Sequence, residues 1–173
     1  MTPASGLGEL FPLPDGAKQL QRFLGSWKVV GALETRGKTF EVEGTATISP
    51  ASGGWGVLLQ NALEFKGLGT YLETGILGYD IAENAVHFFA LTNTSAVYDH
   101  KGAWFNDRSL RLTYEGRRGA KLYRETLKLE FRTPDELVIT EEDTLGGKPV
   151  TTLHVRLTKA PQNSPAPESH RGD

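Results

Sequence analysis

From Trp27 to Thr158 the apolar and polar residues of this chain alternate with a period of two, as strands that bury one face do. Residues 39–49 show it most plainly: Phe40, Val42, Gly44, Ala46 and Ile48 fall on one side, Thr39, Glu41, Glu43, Thr45 and Thr47 on the other. Trp55, Val57, Leu59, Leu63 and Phe65 repeat the alternation in the next segment. The pattern predicts ten strands, at residues 27–35, 39–49, 55–65, 70–79, 85–92, 96–105, 109–115, 121–131, 136–144 and 149–158. Turn chemistry separates them, as in Arg36-Gly37-Lys38, Lys66-Gly67-Leu68-Gly69, Asn106-Asp107-Arg108 and Gly146-Gly147-Lys148. Such connections are too short for crossover helices, so sequential strands pair antiparallel in a meander. Ten strands overload an open twisted sheet, and closure removes its edges. The expected fold is all-β, a ten-stranded antiparallel up-and-down β-barrel.

Only ahead of Trp27 does the period differ. Leu20, Phe23 and Leu24 stand at i, i+3, i+4, with Asp15 placed to cap and Gly25 to stop, which predicts one short helix over residues 15–24. Residues 1–14, rich in Gly and Pro, read as a flexible arm, and residues 161–173 as a disordered tail. One barrel domain, residues 15–160, lies between them.

Composition narrows the function classes. The 173 residues suit one domain with a real core, and 19 basic against 21 acidic residues give a net charge of −2, with no field to draw nucleic acid or anionic lipid. No apolar run is long enough to be a membrane-spanning helix. Cysteine is absent, which removes disulfides, thiolate metal sites and a cysteine nucleophile. With no secretory leader at Met1–Phe11, a cytoplasmic location is expected. Phosphate loops, dinucleotide fingerprints, nucleophile elbows and paired zinc histidines are likewise missing.

At Leu24-Gly25-Ser26-Trp27 the chain resembles the calycin superfamily of lipocalins and fatty-acid-binding proteins, whose first strand opens with Gly-x-Trp after a short helix. Thr74-Gly75-Ile76-Leu77-Gly78-Tyr79-Asp80, then Lys101-Gly102-Ala103-Trp104 ahead of Asn106-Asp107, are similar to the nitrobindin-like family and related bacterial calycin-like proteins. The resemblance implies an interior site for a small, largely apolar molecule. It also implies a basic residue lying across Trp27, for which Arg156 is the candidate, and haem held through a histidine near the C-terminus, matched here by His154 in His154-Val155-Arg156-Leu157. The Gly-rich run ending in Tyr-Pro that follows the first tryptophan in nitrobindins has no counterpart in residues 28–35. Strand parity also turns His154 away from Leu153, Val155 and Leu157.

Barrels of about eight strands are just filled by their own side chains, so ten leave a cavity. Trp55, Leu59, Phe89 and Trp104 are expected to line it, with Tyr98, His100 and Glu125 orienting a bound molecule; each apolar position also suits plain core packing. Tyr98, His100 and Trp104 share one face of their strand, which serves either the pocket or an exterior contact with a second copy. Glu125 shares a face with Tyr123 and Leu127, and Glu141 and Asp143 one with Leu137 and Ile139, which sets carboxylates towards one end of the barrel. These carboxylates suit a solvated mouth, reception of a cationic or hydroxylated ligand, or an acid–base pair of Glu125 and Glu141. The leading expectation is binding of a small apolar or amphipathic molecule without its transformation and without a cofactor. Haem binding through His154 and catalysis by the cavity carboxylates are the alternatives.

Overall fold

In the computed structural model, residues 11–94 and 96–161 are described. All ten strands form: β1 (Gly25–Thr35), β2 (Lys38–Ala51), β3 (Gly56–Phe65), β4 (Gly69–Asp80), β5 (Ala85–Thr92), β6 (Val97–Trp104), β7 (Ser109–Arg118), β8 (Lys121–Thr133), β9 (Glu136–Leu145) and β10 (Lys148–Lys159). Each pairs antiparallel with its neighbours in sequence, and β1 pairs with β10 from Trp27↔Lys159 to Thr35↔Thr151, which closes the barrel. Expected boundaries differ from the observed ones mainly at β2 and β7. Both continue through a residue of low strand propensity, Pro50 and Gly116, because a long neighbouring strand supplies a partner, Val57 for the first and Tyr123 for the second. Of the expected arm only residues from Phe11, and of the expected tail only Pro161, belong to the described residues.

The helix is shorter than its pattern suggests. Helix α1 spans Asp15–Leu20 and tightens into a 3-10 turn over Gln21–Phe23. Pro14, not Asp15, occupies the cap position: its carbonyl accepts from the N–H groups of Ala17 and Lys18, while Asp15 pairs with Lys18 at 3.0 Å. Leu20 and Phe23 are buried, so this segment stoppers one end of the barrel. The Phe23 ring lies 4.9 Å from that of Phe131 and 6.0 Å from that of Trp104, and Trp27 Nε1 donates to the Phe23 carbonyl at 2.8 Å. Burying an aromatic ring of this size contributes about 1.5–3 kcal/mol, which anchors so short a helix.

One expectation is corrected at the seam. The cation over Trp27 is Lys159, with Nζ 5.1 Å from the ring centre, because register sets Trp27 opposite Lys159 and Arg156 opposite Val30. Gly44, on the apolar side of β2, gives the space of its missing side chain to neighbouring backbone. A Cβ there would collide with the Ala62 carbonyl, just as one at Gly31 would collide with the His154 carbonyl, so both glycines mark close approach between neighbouring strands.

Candidate ligand cavity

Inward-facing side chains leave a cavity of about 590 Å³ between the Phe23 stopper and a mouth bordered by Leu68, Thr94 and Arg118. That volume lies in the range of small-molecule sites. Nearest the stopper the lining is apolar, with Leu129, Leu137 and Leu157 beside Phe23. Towards the mouth it changes character. Strand parity turns Glu125 of β8, Glu141 and Asp143 of β9 and Glu73 of β4 into the cavity, among Tyr71, Tyr98 and Tyr123. Glu125 stands directly opposite Asp143 in the β8–β9 ladder, and Glu141 opposite Leu127.

Two of these carboxylates are fully engaged. Glu125 accepts from His100 Nε2 at 2.8 Å and from the Tyr123 hydroxyl at 3.1 Å; Glu73 accepts from Asn61 Nδ2 at 2.9 Å and from the Tyr71 hydroxyl at 2.8 Å. Because only a carboxylate faces it, His100 Nε2 carries the ring hydrogen, and Nδ1 is left buried without a partner among the described residues. The ring itself stacks on Phe88 with centroids 5.6 Å apart. Asp143 differs from Glu125 and Glu73. It is 7% exposed, and its Oδ1 has no hydrogen-bond partner among the described residues.

Burial in a largely apolar enclosure raises three of these carboxyls. Burial, then the charges of Glu125 and Asp143, push Glu141 well above the usual carboxylate range. Asp143 is pushed up to about 6 by burial and by Glu125. Glu73 rises through burial, with the hydrogen bonds from Tyr71 and Asn61 opposing the rise. Burial and nearby carboxylates also raise the Tyr71 and Tyr123 phenols, Glu73 being the main charge for the first and Glu125 for the second. Arg118, stacked 3.7 Å over the Tyr123 ring at the mouth, is the one basic side chain among the described residues that line the cavity.

The sequence-derived candidates fall in several places. Leu59, Tyr98, Glu125 and Glu141 border the cavity. His100 stands behind the wall and reaches it through Glu125. Trp104 packs on Phe23 beneath the floor, so Tyr98 and Trp104 do not form an exterior contact face. Trp55 follows the Ser52–Gly54 turn and borders an outer groove with Tyr79 and His87. Phe89 is 51% exposed on the outside, since β5 turns Phe88 and Ala90 inward. His154 is exposed, with Nδ1 3.2 Å from Thr140 Oγ1, because Leu153, Val155 and Leu157 take the inward positions. An iron held by His154 would therefore sit outside the barrel, and the residues present do not fit a haem in the cavity through that ligand.

Glu73, Asn61, Tyr71 and Arg118 were not singled out from sequence. Parity held the signal: Tyr71 and Glu73 lie in step with Leu77, and Asn61 in step with Leu59 and Leu63. A polar residue in an apolar register marks an inward polar position.

No family model matches the chain, and no curated protein matches it. Twelve chains of solved structures do. An S-type phycobiliprotein lyase, CPES from Guillardia theta, superposes with a TM-score of 0.56 at 13% identity over 82% of this chain and 90% of that one. A protein described as EF1p2_mFAP2b bound to DFHBI gives a TM-score of 0.48 at 8% identity, over 84% of this chain and 99% of that one. At such identity the lyase match is one of fold: it agrees with the closed barrel and carries no closeness to the nitrobindin-like family in particular.

Proposed function

We propose that the protein binds a small amphipathic molecule inside the barrel, its apolar body against the leucine-rich lower wall and its polar end at the carboxylate and tyrosine wall. One observation carries this reading: an unfilled cavity of about 590 Å³ whose lining passes from apolar at the stopper to polar near the mouth. A core selected only for stability would be filled, because voids cost packing energy. The lyase match supports a fold able to hold a ligand, by analogy of fold alone.

Nile red, a neutral dye that brightens in apolar surroundings, tests it. Saturable, blue-shifted emission is expected with the native protein and a marked loss with Leu59→Trp, which sets an indole into the void. Absence of saturable emission from the folded native protein overturns the proposal. A second reading, acid–base catalysis on the bound molecule, is favoured by the proximity of Glu141, raised well above the usual carboxylate range by burial, to the hydrogen-bonded Glu125. It predicts a turnover that Glu141→Gln abolishes while Nile red binding persists.

A further inference from the structure

Four carboxylates converge on one enclosed space with a single basic side chain at its rim, and this imbalance specifies the occupant more narrowly than amphipathic character does. Glu73 and Glu125 have both oxygens engaged by protein donors. Asp143 does not: a buried Oδ1 in the cavity wall lacks any partner among the described residues. An unpaired buried acceptor costs about 1–3 kcal/mol, so the site is arranged for a donor the chain does not supply. One oxygen each from Glu125, Glu141 and Asp143 lies within 4.8 Å of the others. Two acceptors that share one tetrahedral nitrogen at about 2.8 Å stand about 4.6 Å apart, and the three oxygens are close enough together for two of them to share one.

We infer that the occupant is an organic cation, a primary ammonium group on an apolar body, with the ammonium donating to Asp143 and Glu141 beneath Tyr98 and Tyr123. The inference rests on small-molecule binding in the cavity and names its ligand class. A hard divalent cation is the weaker fit. It wants six or more oxygens, whereas here the surroundings of Glu125 are donors, His100 and Tyr123, and the neighbours of Glu141 are Leu127 and Leu153. The volume is also far larger than a metal ion needs, and its remainder is apolar. The rings of Tyr71, Tyr98 and Tyr123, which line the polar wall, add favourable surface for a cation.

Proton linkage follows. Facing the ammonium are Glu125 and Tyr123 from β8, Glu141 and Asp143 from β9, Tyr98 from β6 with His100 behind it, Glu73 and Tyr71 from β4, and Arg118 from β7. Because Glu141 and Asp143 rise in the empty cavity, the cation releases protons as it binds near pH 6.

The test compares 1-naphthylmethylamine, 1-naphthylmethanol and 1-naphthoate, one apolar body with three polar ends, by titration calorimetry at pH 7.5. The amine is expected to bind at least tenfold more tightly than the alcohol, and the naphthoate not to bind. Repeating the amine titration at pH 6 in buffers of different ionisation enthalpy is expected to show proton release. The double variant Glu141→Gln, Asp143→Asn should bring the amine to the affinity of the alcohol, while Nile red binding confirms an intact barrel. Equal affinity for amine and alcohol, preference for naphthoate, an amine advantage that survives the double variant, or tight Mn2+ binding that excludes the amine each overturns the inference. Each does so with the cavity reading standing so long as Nile red binds. Loss of Nile red and of all three naphthyl compounds instead refutes binding in the cavity itself.

Discussion

Replacing Asp143 by Asn should stabilise the empty protein at alkaline pH, which few substitutions of a buried polar residue do. Folding lifts this carboxyl from an ordinary 3.8 to about 6, through burial and the charge of Glu125. A rise of that size corresponds to about 3 kcal/mol of destabilisation once the group is ionised in both states. Proximity to the mouth screens part of it, so about 1–2 kcal/mol is the working figure. The sign follows from proton counting. Between pH 4 and 6 the folded state holds a proton that the unfolded chain has lost, so stability falls as pH rises through about 6. Asparagine is neutral throughout and keeps nearly the shape of the carboxylate it replaces. Its advantage is therefore largest at pH 8, about half as large at pH 5, and absent below about pH 4. For a chain of this length the gain at pH 8 corresponds to about 2–8 °C in melting temperature. Thermal melts by circular dichroism at pH 5 and pH 8 in low salt measure it. A variant less stable than the native protein at pH 8, or one with the same slope between the two, would refute the electrostatic reasoning. Glu73 and Glu141 keep some of the slope in either protein.

Phe23→Ala should remove about 3–5 kcal/mol, because the ring is buried between Phe131 and Trp104, and hydrogen exchange should show helix α1 released from the barrel end. His100→Ala leaves Glu125 short of a donor in a buried site and should cost about 3 kcal/mol or more by urea titration, with His100→Gln recovering part of the loss. Gly44→Val forces the β2 and β3 backbones apart at the Ala62 carbonyl and should abolish or severely weaken folding, whereas Gly37→Ala, with open space around its Cβ, should cost about 1 kcal/mol through its positive φ alone. In a haemin titration, His154→Ala should give the same absorption spectrum as the native protein, since the imidazole faces away from the cavity.

Strand number, meander order and closure were legible because each depends on local information: period-two alternation, turn residues and short connections. The inward placement of Glu125, Glu141 and Asp143 was legible for the same reason, as each keeps step with leucines on its strand. Phe89 shows the limit. Its strand is apolar on both faces, Val86, Phe88 and Ala90 against Phe89 and Leu91, so alternation carries no phase and only pairing with β4 and β6 sets it. Arg156 and Lys159 were confused over Trp27 because a seam between the first and last strands has a register that no turn fixes. Glu73 was readable but overshadowed, since it acquires meaning only when the barrel brings β4 across the cavity from β9. That encounter depends on closure, which no single segment encodes.

Closure also has a consequence in time. Nine of the ten strand pairings join neighbours along the chain, and only β1 with β10 spans nearly its whole length. As the polypeptide emerges during synthesis, each hairpin can form as soon as its second strand is free, yet the β1 edge stays unpaired until the last strand has been made. The chamber does not exist before that moment: without β10, Leu153, Val155 and Leu157 are missing from its wall and water enters beside Glu141 and Asp143. A ligand that occupies the chamber thus acts as a reporter of completed folding, and a loss of a few residues from β10 should silence binding and leave two sticky edges together.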